Sequence, residues 1–205
     1  MTKTQKIIEY LKNRYPDAVC ALEIDTPWQL LFSTRLAAQC TDKRVNIVAK
    51  ELYTAYPTLQ AFAEADIADL ERIIHPCGFF RQKSKDLKMA AAQLLEKHNG
   101  QVPGTMEELT ALPGIGRKTA NLILGDIYGQ PAIIADTHLI RITNRLGLTD
   151  SKDPYKVELA LKSSLPAEEQ TLFCHRVVHF GRDICKAQNP SCAECGLIKI
   201  CKKQP

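Results

Sequence analysis

The sequence has no apolar run approaching the ~20 residues needed to cross a bilayer, which excludes a helical membrane span and predicts a soluble protein. No segment sustains the period-two alternation of a half-buried strand, so Rossmann and barrel architectures are excluded as the scaffold. No internal repeat or low-complexity tract stands out. The 205 residues can bury roughly 70% of the unfolded surface, enough for one large core or two modest ones. The opening residues, from Met1 to Asn13, lack the apolar stretch and cleavage site of a secretory signal. A reducing, cytoplasmic setting is expected, in which the eight cysteines do not form the disulfide framework of a small secreted domain.

Four of those cysteines, Cys185, Cys192, Cys195 and Cys201, crowd into 17 residues with a C-x6-C-x2-C-x5-C spacing. Thiolates in such a group suit either an iron-sulfur cluster or a zinc ion. Zinc sites usually present two close pairs, and only Cys192 and Cys195 form one here, so the spacing leans toward a four-iron cluster. The other four, Cys20, Cys40, Cys77 and Cys174, are scattered and read as small buried hydrophobes.

Net charge is only +4, but its placement is uneven. Residues 171–205 hold six basic side chains against two acidic ones, whereas residues 1–170 balance at 21 against 21. A basic surface beside a thiolate centre suits a polyanion.

Apolar residues recur at helical spacing nearly everywhere, predicting an all-α protein. Thr26-Pro27-Trp28-Gln29 reads as a capping box with proline at the first helical position. Asp42 is expected to cap the next helix, and Asp66 a third that stops near Gly78. Leu87 to Leu95 mark a fourth, stopping near Gly100, and Asp153-Pro154 opens another. The run from Pro131 to Ala135 is the only strand-like piece.

The central motif is Leu112-Pro113-Gly114-Ile115-Gly116-Arg117-Lys118-Thr119-Ala120, between a short helix that includes Glu107 to Leu109 and a longer one through Leu122, Ile123 and Ile127. A nucleoside-phosphate loop requires glycine directly before the lysine and five residues further back, where this chain has Arg117 and Leu112. A dinucleotide fingerprint requires glycine at Thr119, and both motifs require a preceding strand. What remains is a helix N-terminus whose glycines let backbone amides approach a phosphate, gripping a nucleic-acid backbone without reading sequence. His175 and His179 stand four apart, but Arg176 occupies the place of a metalloprotease base, so both read as structural.

Together with Asp136-Thr137-His138 and the four-cysteine pattern, this hairpin closely resembles the endonuclease III family of DNA glycosylases, of the helix-hairpin-helix superfamily. The resemblance extends to Ala38-Gln39-Cys40-Thr41-Asp42, to the run from Gly78 to Lys85, and to His179-Phe180-Gly181-Arg182. It implies an all-α fold of two helical lobes. One spans residues 21–130 with the hairpin motif at about 107–128. The other joins residues 1–20 to 131–205 and carries the cluster loop, 185–201.

The implied activity is removal of an oxidised pyrimidine from damaged double-stranded DNA, followed by strand cleavage at the abasic sugar, by a monomer carrying one [4Fe-4S] cluster on Cys185, Cys192, Cys195 and Cys201. Lys118 would be the nucleophile and Asp136 its carboxylate partner. An amine can expel the base and form a Schiff base, which a hydroxyl cannot. A lysine in water has a pKa of about 10.4, leaving about one molecule in 2,500 uncharged at pH 7, so partial burial at the helix N-terminus is expected to lessen that penalty. Gln39 and Phe79 would enter the duplex beside the flipped nucleotide, a mild departure where relatives carry an aliphatic residue in place of Phe79. Leu112, Gly114, Gly116, Arg117 and Lys186 would meet the backbone, with Lys199, Lys202 and Lys203 supplementing a cluster loop that has one lysine. Two alternatives stand beside this one: an adenine glycosylase that only removes a base, and a non-catalytic DNA-binding hairpin with a zinc-stapled tail.

Overall fold

The structure, a computed structural model, describes residues 1–202, and among these there is no strand. The helices are α1 (Lys3–Arg14), α2 (Pro27–Leu36), α3 (Asp42–Ala55), α4 (Leu59–Glu64), α5 (Ile67–Ile74), α6 (Phe80–His98), α7 (Met106–Ala111), α8 (Arg117–Asp126), α9 (Thr137–Leu146), α10 (Pro154–Ser164) and α11 (Gln170–Asp183). The all-α expectation holds. Pro131 to Ala135 is irregular chain in which Ala132, Ile133 and Ile134 are buried. No helix among the described residues is long and apolar enough to cross a membrane.

The chain divides into two compact units, one from Ala21 to Tyr128 and one joining Met1–Cys20 to the chain from Gly129 onward. In the first, local signals set the helix starts. Gln29 reaches back from the first turn of α2 to accept from the amides of Asp25 (2.9 Å) and Thr26 (3.1 Å). Asp66 accepts from the amides of Ala68 and Asp69 at the start of α5. The cap of α3 is Thr41, whose hydroxyl accepts from Arg44 N, and Asp42 instead occupies the first turn. Both residue types cap well, so the motif alone could not separate neighbours. The helix expected over Leu87 to Leu95 begins earlier, at Phe80, and ends at Asn99 in a left-handed conformation.

The core of this unit forms where α2 meets α3 and α8 and where α4 and α5 pack on α6. Phe32 and Phe62, both wholly buried, lie edge to face at 5.2 Å, with Trp28 edge-on to each. Burying one such ring stabilises the fold by about 1.5–3 kcal/mol, so this cluster anchors the platform from which α6 and α8 project.

The second unit packs α11 against α1 and α9. A capping box between Thr2 and Gln5 starts α1. Arg14 and Tyr15 converge on Asp183, and Lys12 and Arg176 on Glu169, tying α1 to the two ends of α11. Asp153 caps α10, with Pro154 at its first position, and Gly147 ends α9 with φ +69°.

Candidate functional site

The glycine hairpin links α7 to α8. Leu112 O accepts from Ile115 N at 3.2 Å, closing the turn, and the side chains of Leu112 and Ile115 are buried. Leu112 therefore supports the hairpin from within. Gly114 has φ +71°, and a Cβ there would stand 2.4 Å from Asp86 Oδ2 and 2.6 Å from Arg35 Nε. Arg35 donates to Asp86 through Nε (2.9 Å) and Nη2 (2.6 Å), while Gln82 donates to the other carboxylate oxygen. The hairpin thus rests on a largely buried ion pair that bridges α2 and α6.

Gly116 differs. It is the N-cap of α8 with φ −98°, it provides no capping side chain, and a Cβ there would meet nothing within 4 Å. A phosphate can approach the helix N-terminus from this open side, where amides without intrahelical partners and the positive end of the dipole favour an anion. Arg117 and Lys118 follow in the first turn, both exposed. The partial burial expected for Lys118 is absent because its position on α8 faces outward.

Asp136 lies in the other unit, half-buried at the N-cap of α9, where its Oδ1 accepts from Leu139 N at 2.7 Å. One carboxylate oxygen is thereby fixed on the helix.

Gln39 and Phe79 share two properties. Both are exposed, Phe79 to 66%, and both have left-handed backbones, with φ +57° and +49°. Non-glycine residues adopt this conformation at a cost of about 1–3 kcal/mol and keep it only where neighbours hold them. Lys83 is one such neighbour: its side chain is wholly buried, and Nζ donates to Leu36 O, Ala38 O and Cys77 O, each at 2.8 Å. Sequence reasoning passed over Lys83, since a lysine in an amphipathic helix reads as solvated. The only available signal was its place within the motif from Gly78 to Lys85.

Cys185, Cys192, Cys195 and Cys201 line a single cavity of about 210 Å³ with Arg145, Leu146 and Phe180 among its walls. Among the described residues no three ligating side chains converge on the position of one metal ion. Burial pushes the Cys195 thiol up, the Leu197 amide pulls it back, and the other three thiols push it up again. Arg145 organises the loop, donating to Cys185 Sγ (3.3 Å), Lys186 O (2.7 Å) and Ala187 O (3.0 Å). Its own carbonyl accepts from Lys202 N. Lys186, Lys199 and Lys202 are exposed, and Lys203 lies outside the described residues. Of the scattered cysteines, Cys77 and Cys174 are buried as expected, but Cys20 and Cys40 are only half-buried because they sit in loops.

The family profile described as HhH-GPD superfamily base excision DNA repair protein matches residues 32–167, a span holding the hairpin, Lys118 and Asp136. Endonuclease III of Synechocystis sp. is 42% identical over 200 residues, covering 97% of this chain and 91% of the relative. Endonuclease III of Escherichia coli K12 is 34% identical, covering 98% and 95%. Among solved structures, a trapped endonuclease III–DNA covalent intermediate superimposes with a TM-score of 0.94 at 38% identity, covering 100% of this chain and 97% of that one. A non-covalent endonuclease III–DNA complex matches equally well. With similarity of this extent at the level of both sequence and fold, the chain belongs to the endonuclease III family of the HhH-GPD superfamily of base excision DNA repair proteins.

Proposed function

We propose that this protein is a bifunctional base-excision enzyme, which removes oxidised pyrimidines from duplex DNA and cleaves the strand at the resulting abasic site through a lysine Schiff base. What carries the reading is an exposed primary amine, Lys118, one residue into the helix that follows a glycine hairpin open to phosphate. The covalent protein–DNA intermediate of the 38% identical relative is of the kind such an amine makes.

The hairpin amides and Arg117 grip the backbone beside the lesion, while Gln39 and Phe79 occupy the space left by an extruded nucleotide. Extrusion costs a few kcal/mol, and an aromatic ring stacked between bases offsets part of it. Lys118 Nζ, reacting as the free amine, forms a bond to C1′ as the glycosidic bond breaks, and the base leaves with that electron pair and takes up a proton. Opening of the sugar ring converts the adduct to an imine. Loss of a C2′ proton then expels the 3′ phosphate by β-elimination, and water releases the enzyme. Asp136, oriented by its cap bond to Leu139 N, stabilises positive charge developing on the sugar and relays a proton.

Cys185, Cys192, Cys195 and Cys201 fit a [4Fe-4S] cluster, because four sulfur donors surround one cavity. Bound there, the cluster supplies metal–thiolate bonds that order the loop bearing Lys186. Lys199 and Lys202 extend the basic surface next to it. The enzyme acts as a monomer, in the cytoplasm where the chromosome lies.

A duplex panel, each member carrying one defined lesion, tests this reading. Base release and strand cleavage are expected on oxidised pyrimidines and not on undamaged DNA. Base release without cleavage would instead favour a monofunctional glycosylase.

A further inference from the structure

Lys83, in the second turn of α6, is a fully buried cation whose three ammonium donors are all used, each on a main-chain carbonyl at 2.8 Å. An ammonium has three donors and no acceptor, so the set is complete, and a neutral amine could not supply it. The three carbonyls are not on one element. Leu36 closes α2, Ala38 directly precedes Gln39, and Cys77 closes a short 3-10 turn (His75–Cys77) directly before Gly78 and Phe79. One nitrogen therefore joins the two loops that carry the left-handed Gln39 and Phe79. Local main-chain bonds close each turn, from Cys40 N to Ala37 O (3.1 Å) and from Lys83 N to Phe79 O (3.0 Å), but none of them joins one loop to the other, and Phe79 makes no capping side-chain bond to α6.

We infer that Lys83 is a positioning residue for base extrusion, whose three hydrogen bonds set the Gln39 and Phe79 loops in register so that both side chains enter the duplex at one lesion. The inference rests on the proposed role of those two side chains. Side chains that must fill one gap from two separate loops need the loops fixed to within a fraction of an ångström, and a charged three-way bond to backbone does so without depending on any other side chain. Lys83 touches no DNA; it acts through Gln39 and Phe79.

The test is a double-mutant cycle with Lys83→Met, which keeps chain length and apolar volume, and Phe79→Ala. Single-turnover rates are measured on two substrates: a duplex with one paired oxidised pyrimidine, and a duplex whose abasic site lies in a one-nucleotide bulge and needs no extrusion. Lys83→Met is expected to slow base release from the paired lesion by roughly tenfold to a hundredfold, the scale of an ångström-sized misplacement. Cleavage at the bulged site should change by less than about threefold, and adding Phe79→Ala to Lys83→Met should slow the paired lesion little further, since both act on one step. Multiplicative effects of the two changes, or equal losses on both substrates, would overturn the inference and leave Lys83 as a fold-stabilising contact. If Lys83→Met melts below assay temperature, Lys83→Arg, which keeps the charge but cannot reproduce the three-way geometry, is judged by the same two criteria. A wild-type protein inactive on both substrates would sink the proposed function itself, an outcome distinct from either result above.

Discussion

The two hairpin glycines should fail in opposite ways when each is replaced by alanine. At Gly114 the new Cβ would lie 2.4 Å from a carboxylate oxygen of Asp86 and 2.6 Å from Arg35 Nε, at a φ of +71°. The left-handed backbone alone costs about 1 kcal/mol or more with a side chain present. Displacing packed neighbours adds roughly 1–3 kcal/mol, and rupture of the largely buried Arg35–Asp86 pair would bring the loss toward 3–5 kcal/mol. A loss of about 3 kcal/mol lowers the melting temperature of a chain this size by roughly 6–12 °C. At Gly116 the Cβ meets no atom within 4 Å and φ is −98°, so Gly116→Ala should cost less than about 1 kcal/mol, the scale of a weakened N-cap. Its methyl group would nonetheless occupy the space through which a phosphate reaches the first-turn amides, and duplex affinity should fall about tenfold, one charge-assisted hydrogen bond's worth. Thermal unfolding by circular dichroism and fluorescence anisotropy with a duplex holding an uncleavable abasic analogue measure the two quantities separately. If Gly116→Ala binds as tightly as the native protein, or Gly114→Ala melts unchanged, the assignment of one glycine to support and the other to contact is wrong.

Asp136→Asn keeps a side chain that caps helices equally well, so α9 should persist and DNA affinity hold. Base release should fall by about 10²–10⁴, measured in single turnover. Purified protein should contain iron and sulfide in about equal amounts with visible charge-transfer absorbance, and Cys195→Ser should diminish that absorbance; stoichiometric zinc would contradict the cluster. In acid, α1 should loosen early. Hydrogen bonds from Tyr15 and Arg14 hold the Asp183 carboxyl below its ordinary range, while burial of Glu169 is outweighed by Lys12 and Arg176, which hold it low as well. A depressed carboxyl stabilises the fold above about pH 4 and loses that contribution as pH falls through its folded value. The protection of the α1 amides, taken as observed hydrogen exchange relative to the intrinsic rate at each pH, should therefore fall below that pH, and less so in Asp183→Asn, which begins from weaker docking.

What could be read from the chain follows from how local each signal is. The hairpin was legible because Pro113, Gly114 and Gly116 impose backbone geometry within five residues, and Asp136 because a carboxylate ahead of Leu139, Ile140 and Ile142 is a cap by local chemistry. The helical class followed from periodicity alone. Lys83 was illegible since its three acceptors come from two segments as far as 47 residues away, and nothing in a lysine's neighbours along the chain announces burial. The same distance effect hid the Arg35–Asp86 pair beneath Gly114, 51 residues apart in sequence. The exposure of Lys118 was misjudged for a related reason: its helix position was readable, but which side of α8 meets the core is decided by α2 and α7, which pack against it.

The most direct test of the account is reductive trapping. Incubation with a duplex carrying one oxidised pyrimidine in the presence of cyanoborohydride should yield a stable protein–DNA adduct, mapped by peptide mass to Lys118 and lost in Lys118→Gln. No adduct from active native protein, or an adduct that persists in Lys118→Gln, would contradict the assignment of that amine as the nucleophile.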